Sequence, residues 1–273
     1  MTTQTVIHSN KSNKSKDLAF RITEHIKELA EATDKARMSK EMLRYVDMCA
    51  RFHRYSPQNV WLILMACPHS TVVAGFKKWK SVGRFVRKGE RGIPILAPII
   101  KKVEDDEEEA EKLIGFKVVY VFDVSQTNGD PLPEPPDWKS PEQNAVLAER
   151  LTKFAESKRI KVAVKELAGE IQGVSSGGKI TVSPTAGTKT LIHEIAHELM
   201  HHDDGRPNDK TILELEAESV AYVVAKHYEL DGLSSPNYIA LHGADSDMIT
   251  GHLERIRDIS AQIITSINTA PED

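Results

Sequence analysis

The stretch TLIHEIAHELMHH, residues 190–202, holds four of the eleven histidines of the chain. Within it, His193 and His197 match the pattern H-E-x-x-H, and Glu194 follows the first histidine. Residues four apart lie on one face of a helix about one turn apart, so both imidazoles can reach the same ion. Zinc bound in this way lowers the pKa of its water to about 7, and Glu194 is then placed to act as the general base. The pattern therefore predicts a catalytic site with one Zn²⁺ per chain.

The third protein ligand is expected from a different helix. Eight helical residues put His201 about 12 Å from His193, too far to share an ion whose bonds to nitrogen are about 2 Å long. The next helical stretch, LELEAESVAY, offers Glu214 and Glu218 on one face. We predict Glu214 as the ligand and Glu218 as a carboxylate that orients a ligand histidine, and the reverse assignment stays open. We also expect Glu216 to lie in solvent, and His201 and His202 to form an exposed helix end.

A second candidate site is the stretch FKKWKSVGRFVRKGERG, residues 76–92, in which cations are interleaved with aromatic side chains. Between residues 51 and 102 the chain carries eleven basic residues and one acidic residue, although its net charge is −4. Cations neutralise phosphates and exposed rings stack on unpaired bases, as in proteins that bind single strands. We therefore predict an interface for single-stranded DNA made of Lys77, Lys78, Trp79, Lys80, Arg84, Arg87, Lys88 and Arg91. The alternative is a solvated basic face whose aromatic residues lie in a small core.

The segments around the two sites divide into two predicted domains. Five prolines between residues 131 and 141 predict a linker. This linker separates a DNA-binding domain at 17–130 from a metallopeptidase domain at 142–273. In the first domain, two strand-like apolar runs on either side of the acidic block EDDEEEAE predict a β-hairpin. The polar N-terminus, residues 1–16, is expected to be a disordered arm.

The composition predicts a cytoplasmic protein without a membrane partner. No apolar run approaches the length of about 18 residues that a membrane-spanning helix needs. The N-terminus also lacks the apolar core and cleavage site of a secretory signal. The two cysteines, Cys49 and Cys67, form no CxxC pair, which agrees with a reducing compartment.

Three blocks of the first domain resemble a known family: YSPQNVWLI, AGFKKWKSVGRFVRKGERGIPILAP and VFDVSQTNGDPLP. In order and spacing they are similar to the N-terminal domain of ArdC-type antirestriction proteins. That resemblance implies that the domain binds single-stranded DNA and that a zinc metallopeptidase domain follows it. It also implies a role in protecting incoming plasmid DNA from restriction in a recipient bacterium.

The stretches HEIAHELMHH and ELEAESVAYVVA are similar to the ImmA/IrrE-type metallopeptidases, in which an E-x-x-A-(D/N) segment supplies the third ligand. Here Glu218 stands where that pattern has Asp or Asn. The expected fold class is therefore α+β: a mixed helix and β-hairpin DNA-binding domain, a Pro-rich linker, and a gluzincin-like metallopeptidase domain. The expected function is antirestriction, with a zinc peptidase site that acts on an unknown protein or peptide. Two alternatives are a DNA-coating protein with an inactive metallopeptidase fold and a regulatory protease that cleaves a repressor.

Overall fold

The structure, a computed structural model, describes residues 3–30, 35–105, 108–132, 141–201, 209–230, 236 and 246–269. These residues form helices and small sheets in two compact units. The first unit comprises Met1–Glu28 and Gln58–Pro133, and the second comprises Leu29–Pro57 and Glu134–Asp273. The α+β class predicted from the sequence is confirmed. Most of the predicted linker lies outside the described residues, and the linker stays a prediction.

The first unit contains a long antiparallel hairpin, as the sequence predicted. Strand β3 (Ile93–Asp105) pairs with β4 (Glu108–Asp123), and β1 (Val73–Gly75) pairs with the other edge of β4. Alternate residues of a strand point to opposite faces of its sheet. One face of β4 therefore contributes to the core, whereas Phe116 and Tyr120 on the other face are exposed.

A short helix and a second, two-stranded sheet carry the basic stretch. Helix α4 (Phe76–Ser81) follows β1 directly, and β2 (Arg84–Val86) comes next. After the hairpin, a 3₁₀ turn (Val124–Gln126) leads into β5 (Thr127–Gly129), which pairs antiparallel with β2. The basic stretch therefore follows a strand that pairs with β4, and it contains a strand that pairs with β5.

Helices α1 (Thr3–Ala30) and α3 (Pro57–Ala66) lie on either side of residues 31–56 in the chain. Pro57 fits the first turn of α3, where its missing N–H costs nothing. Helix α1 includes residues 3–16, which the sequence analysis predicts as a disordered arm. The helix is continuous there because this polar, lysine-containing segment has no proline or glycine to end it. The buried positions of that helix recur at three- and four-residue steps: Leu18, Ile22, Ile26 and Leu29.

The larger segment of the second unit contains a helix followed by a three-stranded sheet. Helix α5 (Pro141–Ser157) precedes β6 (Lys161–Val164), β7 (Gly173–Ser175) and β8 (Lys179–Val182). The strand order is β6-β8-β7, with β8 parallel to β6 and antiparallel to β7. Strand β7 lies at an edge of this sheet and contacts the helix that follows β8.

Four helices form the core of the second unit. Helix α7 (Lys210–His227) packs against α6 (Thr188–His201), α8 (Ser246–Thr269) and α2 (Lys35–Arg51). The predicted DNA-binding domain, 17–130, includes α2, whereas the structure groups α2 with the second unit. Its amphipathic face needs an apolar partner, and the sequence alone does not say which segment supplies it. No helix in the described part of the chain is long and apolar enough to cross a membrane.

Candidate metal centre

Helices α6 and α7 bring the three predicted ligands together. The Nε2 atoms of His193 and His197, one turn apart on α6, are 3.0 Å from each other. The Glu214 carboxylate on α7 lies 3.5 Å from His193 Nε2 and 3.6 Å from His197 Nε2. Tetrahedral ligands with bonds of about 2.0–2.1 Å to zinc lie about 3.3 Å apart. The two imidazoles and the carboxylate therefore have the donor types and the spacing that one zinc ion needs.

Local sequence explains why the two helices meet at this point. Helix α6 buries Ile192 and Ile195 completely, so the opposite side carries the histidine pair. Asp209 is the N-cap of helix α7, and its side chain accepts a hydrogen bond of 2.8 Å from the backbone N–H of Thr211. This N-cap fixes the start of α7, and Glu214 follows about one turn later.

Glu194 lies beside the ligands with its side chain nearly buried. Burial and the neighbouring carboxylates of Glu214 and Glu198 raise the pKa of Glu194 to about 7. A hydrogen bond from the backbone of Ser175 lowers this pKa and offsets part of the rise. A carboxyl that titrates near neutrality can both accept and release a proton at physiological pH.

Two features of the β7–β8 hairpin support that position. A Cβ added to Gly173 in β7 would lie 2.6 Å from Glu194 Oε1, so only glycine lets the strand come this close. In the turn, the Glu198 carboxylate accepts backbone N–H bonds from Ser176, Gly177 and Gly178 at 2.6–3.0 Å. Sequence analysis missed both Gly173 and Glu198. The only signal for Glu198 was its position one turn after Glu194.

Glu218 contacts the opposite nitrogen of a ligand histidine. Its Oε2 lies 3.6 Å from His193 Nδ1, and its Oε1 accepts a hydrogen bond of 2.7 Å from Lys189 Nζ. Glu214 therefore faces the two Nε2 atoms, whereas Glu218 faces the Nδ1 side of one ring. This geometry agrees with Glu214 as a ligand and Glu218 as an orienting carboxylate, and the assignment stays a prediction.

The expectation that His201 and Glu216 are solvated is wrong. His201 is 2% exposed and Glu216 is fully buried. The reason is the central position of α7, which is covered by helices on several sides, so a residue pointing away from the ligands still meets protein. The nearly continuous apolar run after Glu218 was the available signal, since a helix that is apolar all round is a buried one. His202 lies outside the described residues.

A hydrogen-bonded chain connects these buried groups to a ligand. His197 Nδ1 is 3.0 Å from His201 Nδ1, and His201 Nε2 is 2.9 Å from Glu216 Oε2. The other oxygen of Glu216 is 2.7 Å from Nδ1 of His252 on α8. Burial raises the pKa of Glu216, but the hydrogen bonds from His201 and His252, together with Arg255, outweigh it and bring the pKa to about 2. Glu216 is therefore an ionised carboxylate inside the helical core.

In the basic stretch, the structure removes one predicted contact with DNA. Trp79 is 2% exposed, and its Nε1 donates a hydrogen bond of 2.8 Å to the carbonyl oxygen of Phe122. Its ring cannot stack on a base without unfolding this region, so its assignment to the DNA interface is wrong. Arg84 is also committed internally, because its guanidinium donates to Thr127 and to the carbonyl oxygen of Asp130.

The other predicted cations reach the surface of the first unit. Arg87 is exposed but forms an ion pair of 2.6 Å with Glu90. The remaining exposed cations are Lys77, Lys78, Lys80, Lys88 and Arg91. Two aromatic rings of the stretch, Phe76 and Phe85, are more than half exposed, and so is Tyr120 of β4. The stretch therefore presents both cations and rings to solvent, although not with the tryptophan that the sequence suggested.

Comparison with known proteins matches most of the chain to a curated protein and to solved structures, and matches residues 13–122 to a family model. An uncharacterized protein of Bacillus anthracis is 27% identical over 297 residues, covering 89% of this chain and 50% of that protein. The chain thus spans about half the length of this relative. The metal-free crystal structure of the antirestriction protein ArdC from the R388 plasmid is 18% identical with a TM-score of 0.46, covering 80% of this chain and 87% of that one. The Mn(II)-bound structure of that protein is 16% identical with a TM-score of 0.45, covering 82% and 98%. Residues 13–122 match the family model of the N-terminal domain of anti-restriction factor ArdC, so the resemblance predicted from the sequence blocks is confirmed for this part of the chain.

Proposed function

We propose that the second unit is a zinc-dependent peptidase. The observation that carries the proposal is the 3.0–3.6 Å spacing of the His193, His197 and Glu214 ligand atoms beside Glu194. Three protein ligands with a fourth position left for water or substrate are the arrangement of catalytic rather than structural zinc sites. The Glu214 side chain is 65% exposed, so a substrate can approach the ligands from solvent.

The residues around the ligands support a hydrolytic role. A divalent ion bound there supplies a Lewis acid that polarises a peptide carbonyl and makes water easier to deprotonate. Glu194 takes the proton of the attacking water and then delivers it to the leaving amine. A pKa of about 7 suits both steps near neutral pH. The Glu218 carboxylate lies 3.6 Å from Nδ1 of His193, where it can orient the ring, and Gly173 keeps β7 next to the Glu194 carboxylate.

The peptidase proposal predicts that metal binding and catalysis separate in Glu194→Gln. We expect this variant to retain about one metal ion per chain, because Glu194 is not a ligand, and to lose roughly 10²–10⁴ in cleavage rate. Metal content is measured by mass spectrometry for zinc and manganese, and cleavage with a peptide library read by mass spectrometry. Glu149→Gln, which changes an exposed carboxylate paired with Lys153 on α5, is the matched control. Absence of a bound divalent ion, or wild-type cleavage by Glu194→Gln, would contradict the proposal.

We further propose that the first unit binds single-stranded DNA. Its match to the ArdC N-terminal domain supports a nucleic-acid partner. The exposed cations and rings supply phosphate neutralisation and base stacking without a motif for reading duplex sequence.

The DNA proposal predicts that Phe85→Ala and Lys88→Ala weaken binding to an oligonucleotide. Loss of one stacked ring costs about 1–3 kcal/mol, and the salt dependence of log K should have a slope of about −0.7 per neutralised phosphate. Fluorescence anisotropy at several salt concentrations measures both effects. Lys165→Ala, an exposed lysine of the second unit, serves as the control. Equal affinity for duplex and single strand, or salt-independent binding, argues against the interface.

The match to an anti-restriction factor supports protection of incoming plasmid DNA as the shared purpose of the two units. A plasmid-transfer assay into a restricting host separates their contributions. We expect both Glu194→Gln and a Lys88→Ala/Arg91→Ala double variant to lose protection. Full protection by Glu194→Gln would favour a role limited to coating the DNA.

A further inference from the structure

A buried polar chain leads from the candidate metal centre into the helical core. It runs from His197 to His201 on the same helix, then to Glu216 on α7 and His252 on α8, through contacts of 2.7–3.0 Å. His201, Glu216 and His252 are 2%, 0% and 9% exposed. Burying a carboxylate is costly unless its oxygens are hydrogen bonded. Here both oxygens are, each by a different histidine.

Metal binding at His197 would fix the direction of every hydrogen bond in this chain. His197 faces the other ligands through Nε2, so a neutral ring that offers this nitrogen to a metal carries its proton on Nδ1. That proton is donated to Nδ1 of His201, which in turn must carry its own proton on Nε2. His201 Nε2 then donates to Glu216, a group that only accepts when ionised. Each partner along the chain therefore fits the tautomer that a metal ligand requires.

We propose that His201 and Glu216 are positioning residues that hold His197 in the tautomer and orientation required of a metal ligand. This inference rests on the proposed metal site, to which it adds two residues that do not touch the ion. Partners of this kind commonly contribute 10–100-fold to metal affinity. The two ligand histidines are then supported differently: His193 by the partly exposed pair Glu218 and Lys189, and His197 by a chain closed to solvent.

The alternative is that the buried chain only stabilises the packing of three helices. His252 distinguishes the two roles, because it contacts Glu216 as closely as His201 does, whereas among the described residues it reaches His197 through Glu216 and His201. Replacing either histidine by phenylalanine keeps an aromatic ring and removes one hydrogen bond to the same carboxylate. If the buried chain had a purely structural role, the two variants would change Zn²⁺ affinity by similar factors.

The experiment measures Zn²⁺ affinity of the metal-free full-length chain by competition with a chromophoric chelator. We expect His201→Phe to weaken Zn²⁺ binding about 10–100-fold and His252→Phe to leave it close to the wild-type value. His201→Gln should restore most of the affinity, because an amide oxygen can accept from His197 while its nitrogen donates to Glu216. Thermal unfolding of the metal-free variants reports the structural cost separately.

The outcomes distinguish this inference from the proposed function. If the wild-type chain does not bind Zn²⁺, the metal site and the positioning role both fail. If the wild type binds it and His201→Phe binds equally well, or loses no more affinity than His252→Phe, only the positioning role fails. Should His201→Phe not fold, Glu216→Gln keeps the shape of the side chain and removes its charge. Weaker Zn²⁺ binding by this variant supports the positioning role, and unchanged binding overturns it.

Discussion

His53 is a buried histidine of the second unit that takes no part in the candidate metal centre. Its ring lies 4.7 Å from the ring of His227, and within the described residues neither of its nitrogens has a hydrogen-bond partner. Burial, followed by the positive charges that His227 and Arg54 can carry, lowers the pKa of His53 to about 4. The imidazole is therefore neutral in the folded protein down to mildly acidic pH.

We predict that His53 makes the second unit less stable as the pH falls. An unfolded histidine has a pKa of about 6.5, so below that pH the unfolded state binds a proton that the folded state does not. Its contribution is fully present above pH about 6.5 and is lost towards pH 4, to a total of about 3 kcal/mol. Denaturant unfolding of wild type and His53→Phe between pH 7 and 4.5 measures it. The same pH dependence in both proteins would refute the prediction, and His69→Gln, at an exposed histidine of the first unit, is the control.

At the residue scale, sequence spacing was a good guide only to groups that share a helical face. The H-E-x-x-H pattern and the i, i+4 pair of glutamates were enough to predict the groups that the structure brings together. The roles of Glu216 and His252 depend on how α7 and α8 are rotated about their axes when they pack. Neither residue shares a local pattern with a ligand, so no spacing rule leads to them.

At the scale of elements, contacts between helix α6 and the β7–β8 hairpin place strand β7 beside Glu194. The carboxylate of Glu198 collects three consecutive backbone N–H groups, and Gly177 and Gly178 adopt positive φ angles of 71° and 77° to present them. Glycine takes such angles at little cost. The turn of the hairpin is therefore held to the helix through its backbone N–H groups.

We predict that Glu198→Gln loosens this hairpin while leaving α6 intact. The amide offers one acceptor oxygen where the carboxylate had two, so at least one N–H loses its partner, at a cost of about 1–3 kcal/mol. Hydrogen exchange at residues 176–178 should accelerate, whereas exchange in the middle of α6 should not. Peptidase activity should fall as β7 moves relative to Glu194. Unchanged exchange in the turn would show that the carboxylate does not hold it, and Glu149→Gln again provides the control.

The basic stretch shows a different limit of prediction for elements. Its alternation of cations and rings correctly indicated a charged surface, but α4 has a buried side, and Trp79 occupies it. The hydrogen bond to Phe122 of β4 decides this position, and Phe122 lies 43 residues further along the chain. A pattern read within the stretch has no access to that partner.

At the scale of the whole molecule, the second unit is assembled from two separate segments of the chain. Helix α2 contributes buried Met42, Val46 and Cys49 to it. Asp47 of the same helix accepts hydrogen bonds from Lys226 at 2.5 Å and Tyr222 at 2.9 Å on α7. The helices themselves were predictable from periodicity. The unit to which α2 belongs could not be predicted in this way, because it is set by contacts between residues about 180 positions apart in the chain.

We predict that a fragment of residues 134–273 does not fold cooperatively by itself. Without α2, the apolar faces of α7 and α8 that it covers are exposed, and Lys226 loses its carboxylate partner. Fusing residues 29–57 to the fragment through a flexible linker should restore a sharp thermal transition and zinc binding. Circular dichroism and binding of a hydrophobic dye report the difference. A cooperative transition in the shorter fragment, at the temperature of the fused one, would show that α2 is dispensable.

The two-segment construction of the second unit also affects how genes for such proteins can recombine. The chain passes from the first unit to the second, back to the first, and into the second again. A crossover at the proline-rich segment between two diverged genes would join α2 of one parent to α7 and α8 of the other. Such a hybrid has mismatched partners in its core, so we expect substitutions in α2 to be accompanied by substitutions in α7 or α8. Exchanging the second unit intact would need two further breakpoints, one on each side of α2.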